Sequence, residues 1–206
     1  MKKLLLLVLF SMGLIAANAQ RGKKMITGYG GYAFQDRVEF SNAYGYVRDG
    51  GQWGVGLEFF FDETRTIDLT YTRMDTDLPL YSYSLGNQLN KGQEGLSVNY
   101  ILIGISNYIP LHNSKIRPYG GLGIGVGILD GKDVDVSYTK FAWNVKLGVL
   151  IPASPKVAFK IQTQLQTAVN GVSTGFYVGT GGGGLGVSTY SSLYQFGFTG
   201  GLTFSF

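Results

Sequence analysis

Four charged residues stand out because each lies on the polar face of a segment in which apolar and polar residues alternate. Glu58 and Asp68 flank one short turn, and Lys146 and Lys160 flank another. An unpaired charge inside a protein is costly, so these carboxylates and ammonium groups are expected to form ion pairs, with Arg117 directed towards the same region. Such a set can hold a polar interior closed. If the partners exchange, it can also open a narrow path for ions.

Residues suited to catalysis are sparse. The only histidine, His112, lies in a short turn beside Ser114 and Lys115, and these neighbours cannot complete a metal site of three or four ligands. The glycine-rich run at 179–186 lacks the Lys-Ser/Thr pair that follows the glycines in a phosphate-binding loop, and is better explained as a flexible loop. We therefore expect no enzymatic activity, no cofactor and no metal.

The first residues have the pattern of a secretory signal peptide. Lys2 and Lys3 precede an apolar stretch that ends in the small-residue motif Ala17-Asn18-Ala19. The stretch is shorter than the roughly 20 residues that a transmembrane helix requires. We expect a cleaved signal at 1–19 and a single mature domain at 20–206.

The composition is that of a barrel surrounded by lipid rather than water. Charged residues make up 15% of the chain, whereas soluble domains average about 25%. Glycine accounts for 32 of 206 residues, well above its average share of about 7%. There is no cysteine, which argues against a lipid anchor and against disulfides. Without Lys2 and Lys3, the 15 basic and 13 acidic residues are too balanced to indicate nucleic-acid binding.

Eight segments read as β-strands, and short and longer connections alternate between them. The short connections are 61–64, 110–114 and 152–155, and most of the others are longer and rich in Gly, Ser, Asn and Tyr. This alternation is typical of transmembrane barrels, and it predicts an all-β, eight-stranded antiparallel up-and-down barrel with long loops at one end. The predicted strands are Met25–Phe34, Gln52–Phe60, Arg65–Met74, Gly95–Ile109, Lys115–Leu129, Tyr138–Ile151, Lys156–Val169 and Leu193–Phe206.

Most segments have an apolar and a polar face, while the first and fourth carry apolar residues on both faces. Two observations favour an apolar face that points outwards into lipid. The glycines at 121, 123, 125 and 127 would make room inside a narrow barrel, and aromatic residues gather at the ends of the apolar faces, as in membrane-interface girdles. The girdle residues are Trp53, Phe59, Phe141, Trp143, Phe159, Tyr194 and Phe196.

Two stretches resemble a known family. The sequence RPYGGLGIG from Arg117 and the terminal GFTGGLTFSF from Gly197 resemble the fifth and the closing strands of the small OmpA/OmpX-like outer-membrane β-barrels. The resemblance implies a location in the outer membrane of a Gram-negative cell. It also implies that Leu202, Phe204 and Phe206 are read by the barrel-assembly machinery, in addition to forming a stripe that faces lipid.

The sequence therefore predicts a non-enzymatic outer-membrane barrel whose polar lumen is plugged by side chains. Its expected work is to support the envelope, or to bind an extracellular ligand or an envelope protein through its tyrosine-rich loops. Outer-membrane lipid and the assembly machinery are expected partners. The alternatives are a narrow porin-like channel for ions or small solutes, an accessory barrel of a secretion or assembly complex and, more remotely, a soluble periplasmic barrel.

Overall fold

The computed structural model describes residues 22–40, 42–133, 136–169 and 192–206. The expected signal peptide at 1–19 and the glycine-rich run at 179–186 lie outside these ranges. None of the described residues forms a helix that is long and apolar enough to cross a membrane. The strands are β1 (Lys24–Ala33), β2 (Asp36–Glu39), β3 (Ala43–Val47), β4 (Gly50–Phe60), β5 (Arg65–Asp77), β6 (Leu80–Ser82), β7 (Gly95–Tyr108), β8 (Arg117–Gly131), β9 (Val136–Pro152), β10 (Val157–Val169) and β11 (Leu193–Ser205).

Eight of these strands close into an antiparallel barrel in the order β1-β11-β10-β9-β8-β7-β5-β4. The eight predicted segments correspond to these eight strands, so the predicted fold class is confirmed. The main differences are at the ends. β5 continues three residues past the predicted end, to Asp77, because it keeps pairing with β7 as far as Gly95.

The two ends of the barrel differ. At one end, which we call the turn end, short connections join β4 to β5, β7 to β8 and β9 to β10. The first of these is fastened by Asp62, whose Oδ1 accepts the backbone N–H groups of Thr64 at 2.8 Å and Arg65 at 2.6 Å. These bonds hold the pKa of the Asp62 carboxyl below its usual range, and the bond from Thr64 has the largest effect. The opposite end, where most connections are longer, is called the loop end.

Side chains alternate around the wall as a period of two requires. Outward residues such as Ile105 (60% exposed) and Leu122 (56% exposed) are apolar, while the glycines at 121, 123, 125 and 127 face the lumen. The structure also explains the two ambiguous strands. Inward residues of β1 and β7, such as Met25 and Leu102, are apolar because the lumen itself contains apolar clusters.

A second sheet, which was not predicted from the sequence, lies at the loop end. β2, β3 and β6 form a three-stranded sheet within the segments 35–51 and 75–94, which were predicted as loops. Val38 and Val47 from this small sheet are buried in the same apolar cluster as Ala33, Met74 and Leu96 of the barrel. The small sheet therefore packs onto the barrel and helps to cover its loop end.

Candidate functional site

The strand register places the two acidic residues of the lumen directly opposite each other. Glu58 on β4 pairs with Asp68 on β5, and both side chains point inwards with 2% of their surface exposed. Like charges that face each other across two strands are destabilising. Each carboxylate therefore needs a cation of its own, and β9 and β10 supply one each from across the lumen.

The cations complete two separate ion pairs. The Nζ of Lys146 on β9 donates to Oδ1 of Asp68 at 2.6 Å, and the Nζ of Lys160 on β10 donates to Oε1 of Glu58. Lys146 is 6% exposed and Lys160 is 2% exposed. Each charge is thus paired in a region that excludes water, where removal of one partner would leave the other uncompensated.

Two residues of β7 and one of β8 complete the surroundings of these pairs. Tyr108 donates to Oε2 of Glu58 at 2.5 Å, and Ser106 donates to Oδ2 of Asp68 at 2.9 Å. The Nζ of Lys160 lies 4.6 Å from the centre of the Tyr119 ring, which is within range of a cation–π contact. Ser106 and Tyr108 were not predicted as lumen residues, because β7 carries apolar residues on both faces and its alternation is ambiguous.

Arg117 does not join this network, which corrects the expectation from the sequence. It is the first residue of β8 and is exposed at the turn end, taking part in neither buried ion pair. A long side chain at the rim of a strand can reach water, so its charge does not need a buried partner. Together with desolvation, its proximity lowers the pKa of Lys23 at the same end.

Glutamines of β10 carry a chain of hydrogen bonds along the barrel axis. Tyr119 donates to Oε1 of Gln162 at 2.6 Å, and Nε2 of Gln162 donates to Gln164 at 2.9 Å. Gln164 then donates to Gln166 at 3.1 Å, and Gln166 donates to Thr72 at 3.0 Å. Because every amide in the chain points the same way, each side chain both accepts and donates within the lumen.

Two apolar clusters enclose this polar layer. The turn-end cluster contains Met25, Phe60, Tyr108, Tyr119, Leu150 and Ala158. The loop-end cluster contains Ala33, Val38, Val47, Met74, Leu96, Val98, Tyr100, Leu102, Leu129, Ala142, Ala168 and Leu193. The lumen was expected to be polar. Instead, it has a polar middle between two apolar ends.

The inward glycines of β8 make room for these contents. A Cβ at Gly121 would lie 2.5 Å from Oγ of Ser106 and 2.7 Å from Cε of Lys146. A Cβ at Gly123 would lie 2.5 Å from Oδ1 of Asn144. Side chains from the neighbouring strands therefore occupy the space beside Gly121 and Gly123, whereas a Cβ at Gly125 would meet the backbone of Ile101.

Six of the seven predicted girdle residues lie towards the two ends of the outer wall. At the loop end Trp53 is 54% exposed, with Phe141, Tyr194 and Phe196 also exposed. Trp143 instead lies in the middle of β9, where it pairs with Ile124 and Thr167 and is partly covered. At the turn end Phe159 is exposed and Phe59 is partly covered. Leu202, Phe204 and Phe206 form an exposed outward stripe on β11 and at its end, also at the turn end.

His112 is exposed in the connection between β7 and β8. Across the described ranges, no group of three or more His, Cys, Asp or Glu side chains is placed to hold a metal ion.

No protein-family model matches the chain, and no curated protein matches its sequence. Solved structures do match it. The N-terminal β-barrel domain of Pseudomonas aeruginosa OprF is 11% identical with a TM-score of 0.53, over 90% of this chain and 100% of that one. Neisserial surface protein A is 13% identical with a TM-score of 0.55, over 89% of this chain and 97% of that one. The chain therefore has the fold of small eight-stranded outer-membrane β-barrels.

Proposed function

We propose that this protein is a non-enzymatic component of the outer membrane of a Gram-negative cell, with its lumen closed by side chains. Its work is to support the envelope structurally and to present the loop end as a binding surface. The apolar outer wall, the aromatic residues towards both ends and the fold shared with outer-membrane barrels support the location. An orientation with the turn end in the periplasm follows from the usual arrangement of short turns in such barrels.

The closed lumen rests on one observation above all. The two buried ion pairs lie between apolar clusters at the two ends of the barrel interior. An eight-stranded barrel is just wide enough for side chains to fill it. With the interior occupied in this way, the parts of the protein left to interact with partners are the outer wall and the two ends.

The lipid-facing wall can be tested with one outward substitution. Ile103 is 52% exposed and pairs with Leu69 and Ile124 at mid-height of the wall. Ile103→Arg should destabilise the protein in lipid vesicles by about 2–4 kcal/mol, the cost of an arginine at the bilayer midplane. Leu111→Arg, in the turn between β7 and β8, is the control and should change the stability by about 0–1 kcal/mol. Equal effects would contradict a lipid-facing wall.

A binding role for the loop end is supported by a cluster of tyrosines on the small sheet. The ring of Tyr44 lies 5.5 Å from that of Tyr81 and 5.2 Å from that of Tyr83, and Arg37 lies 5.0 Å from the Tyr44 ring. Tyrosine combines a rigid apolar ring with a polar tip, and such rings are common in adaptable binding surfaces. These tyrosines are therefore the first residues to mutate in a search for the ligand-binding surface.

The narrow-channel alternative is favoured by unpartnered polar atoms in the lumen. Nε2 of Gln52, Oδ1 of Asn144 and Oγ1 of Thr199 are buried without a hydrogen-bond partner among the described groups. Such atoms are positions for ordered water, and a connected file of water would pass small solutes. Osmotic swelling of protein-containing liposomes in glycine solution separates the two functions. A closed barrel gives the swelling rate of empty liposomes, whereas a channel accelerates it.

A further inference from the structure

A furrow runs along the outer wall above β7 and β8. Its first part, near the turn end, is a groove of about 410 Å³ lined by Arg65, Asn107, Gly120 and Leu147 among others. A second groove of about 420 Å³ lies higher on the wall between isoleucines of β5, β7 and β8. The two grooves share Ile105 and Leu122 in their linings, so they adjoin and form one furrow.

The groove near the turn end exists because one outward position has no side chain. Gly120 faces outwards between Asn107 of β7 and Leu147 of β9. A Cβ at this position would meet only the end of the Leu147 side chain, at 3.2 Å, and the Lys146 carbonyl oxygen, at 3.9 Å. A larger side chain at position 120 would therefore occupy the groove without entering the lumen.

One end of the apolar furrow carries the guanidinium of Arg65, which is ion-paired with Asp62. Arg65 lines the groove, and its Nε donates to Asp62 at 2.7 Å. A guanidinium has four further N–H donors in addition to this one, in a planar arrangement that suits phosphate oxygens. Asn107 lines the same groove.

The charge of the whole turn end favours an anionic ligand. Among the described residues, six basic and two acidic side chains lie at this end, whereas six basic and eight acidic ones lie towards the loop end. The basic residues of the turn end are Lys23, Lys24, Arg65, Lys115, Arg117 and Lys156. Basic residues at a membrane surface attract anionic headgroups.

We propose that the furrow binds one anionic phospholipid of the leaflet at the turn end, with an acyl chain along β7 and β8 and the phosphate at Arg65 and Asn107. This inference rests on the proposed location in the outer membrane. The bound lipid would differ from the lipids that merely surround the wall, because its acyl chain and its phosphate would contact an apolar groove and a basic side chain in one place. In the proposed orientation, that leaflet faces the periplasm.

Native mass spectrometry of the refolded mature protein in detergent tests the inference. The protein is mixed with equal amounts of palmitoyl-oleoyl phosphatidylglycerol and phosphatidylcholine, and the retained lipids are counted. The wild type should retain phosphatidylglycerol preferentially. Arg65→Gln should reduce this preference about fivefold, the factor that corresponds to about 1 kcal/mol for one basic residue near a membrane surface. Arg117→Gln removes the same charge outside the groove and should change the preference much less.

A second pair of variants tests the groove itself. Gly120→Leu should reduce the number of retained lipids of both kinds. Gly200→Leu should not, because Gly200 also faces outwards, has nothing within 4 Å of its Cβ position and lines neither groove. Equal effects of Arg65→Gln and Arg117→Gln, or of the two leucine variants, would overturn the inference. Circular dichroism and heat-modifiable gel mobility report on membrane folding separately, so a failure of the proposed location is distinguishable from a failure of the lipid site.

Discussion

Replacement of Lys160 by methionine is the sharpest test of the buried ion pairs in the lumen. The Nζ of Lys160 is bonded to Glu58, and both residues are 2% exposed. Methionine is also a long, unbranched side chain but carries no charge, so Lys160→Met leaves the Glu58 carboxylate buried without its cation. Removal of one partner of a buried ion pair costs about 3–5 kcal/mol.

The surroundings of Lys160 place the expected cost in the upper part of this range. Its Nζ also lies 4.6 Å from the Tyr119 ring, and a desolvated cation–π contact is worth up to about 2 kcal/mol. We therefore expect Lys160→Met to lower the free energy of unfolding by about 4–5 kcal/mol. In the double variant Glu58→Gln/Lys160→Met no buried charge is left unpaired, and about 2 kcal/mol or more should be recovered.

The assay is urea-induced unfolding of the protein refolded in lipid vesicles, followed by the fluorescence of Trp53 and Trp143. Arg37→Met is the control, because the Arg37–Glu39 ion pair at 3.1 Å has side chains that are 48% and 64% exposed. Such surface pairs contribute about 0–1 kcal/mol. The reasoning is refuted if Lys160→Met costs no more than Arg37→Met, or if the double variant is as unstable as the single one.

Two further predictions concern the wall and the loop end. A Cβ at Gly125 would lie 2.1 Å from the backbone oxygen of Ile101, whereas one at Gly28 has nothing within 4 Å. Gly125→Ala should therefore destabilise the barrel by about 1–3 kcal/mol through overpacking, Gly28→Ala should not, and urea unfolding of the two variants compares them. Asp75 accepts hydrogen bonds from Arg73 and Lys132, which lower its pKa from 3.8 to about 2. Because the folded-state pKa is the lower one, these bonds stabilise the protein above about pH 4 and the effect is lost as the pH falls to about 2. Asp75→Asn should accordingly be less stable than the wild type at pH 7 and equally stable near pH 2, and a constant difference across that range would contradict the assignment.

The barrel could be predicted from the sequence because its strands are long and only one face of most strands is apolar. In β4, for example, Trp53 and Val55 alternate with Gly54 and Gly56, and a shift of one residue would exchange the two faces. The four lumen charges could be placed near one another for the same reason, since alternation and strand order together determine which residues face inwards.

Other features depend on contacts that the pattern does not contain. The small sheet of β2, β3 and β6 has strands of three to five residues, and these are held by packing of Val38 and Val47 against the barrel. Short strands of this kind have too few residues for alternation to be recognised. Which lysine pairs with which carboxylate depends on how far the side chains reach across the lumen. Arg117 is exposed because it is the first residue of β8 and lies at the rim of the barrel. Neither can be derived from spacing alone.

Single-channel recording in a planar lipid bilayer tests the closed lumen most directly. Refolded wild-type protein should give no steady conductance, because two ion pairs and two apolar clusters occupy the barrel interior. The variant Lys146→Ala/Lys160→Ala, recorded under the same conditions, removes both cations and should produce channel openings. Steady conductance from the wild type would contradict the closed lumen and would make a narrow channel the leading function.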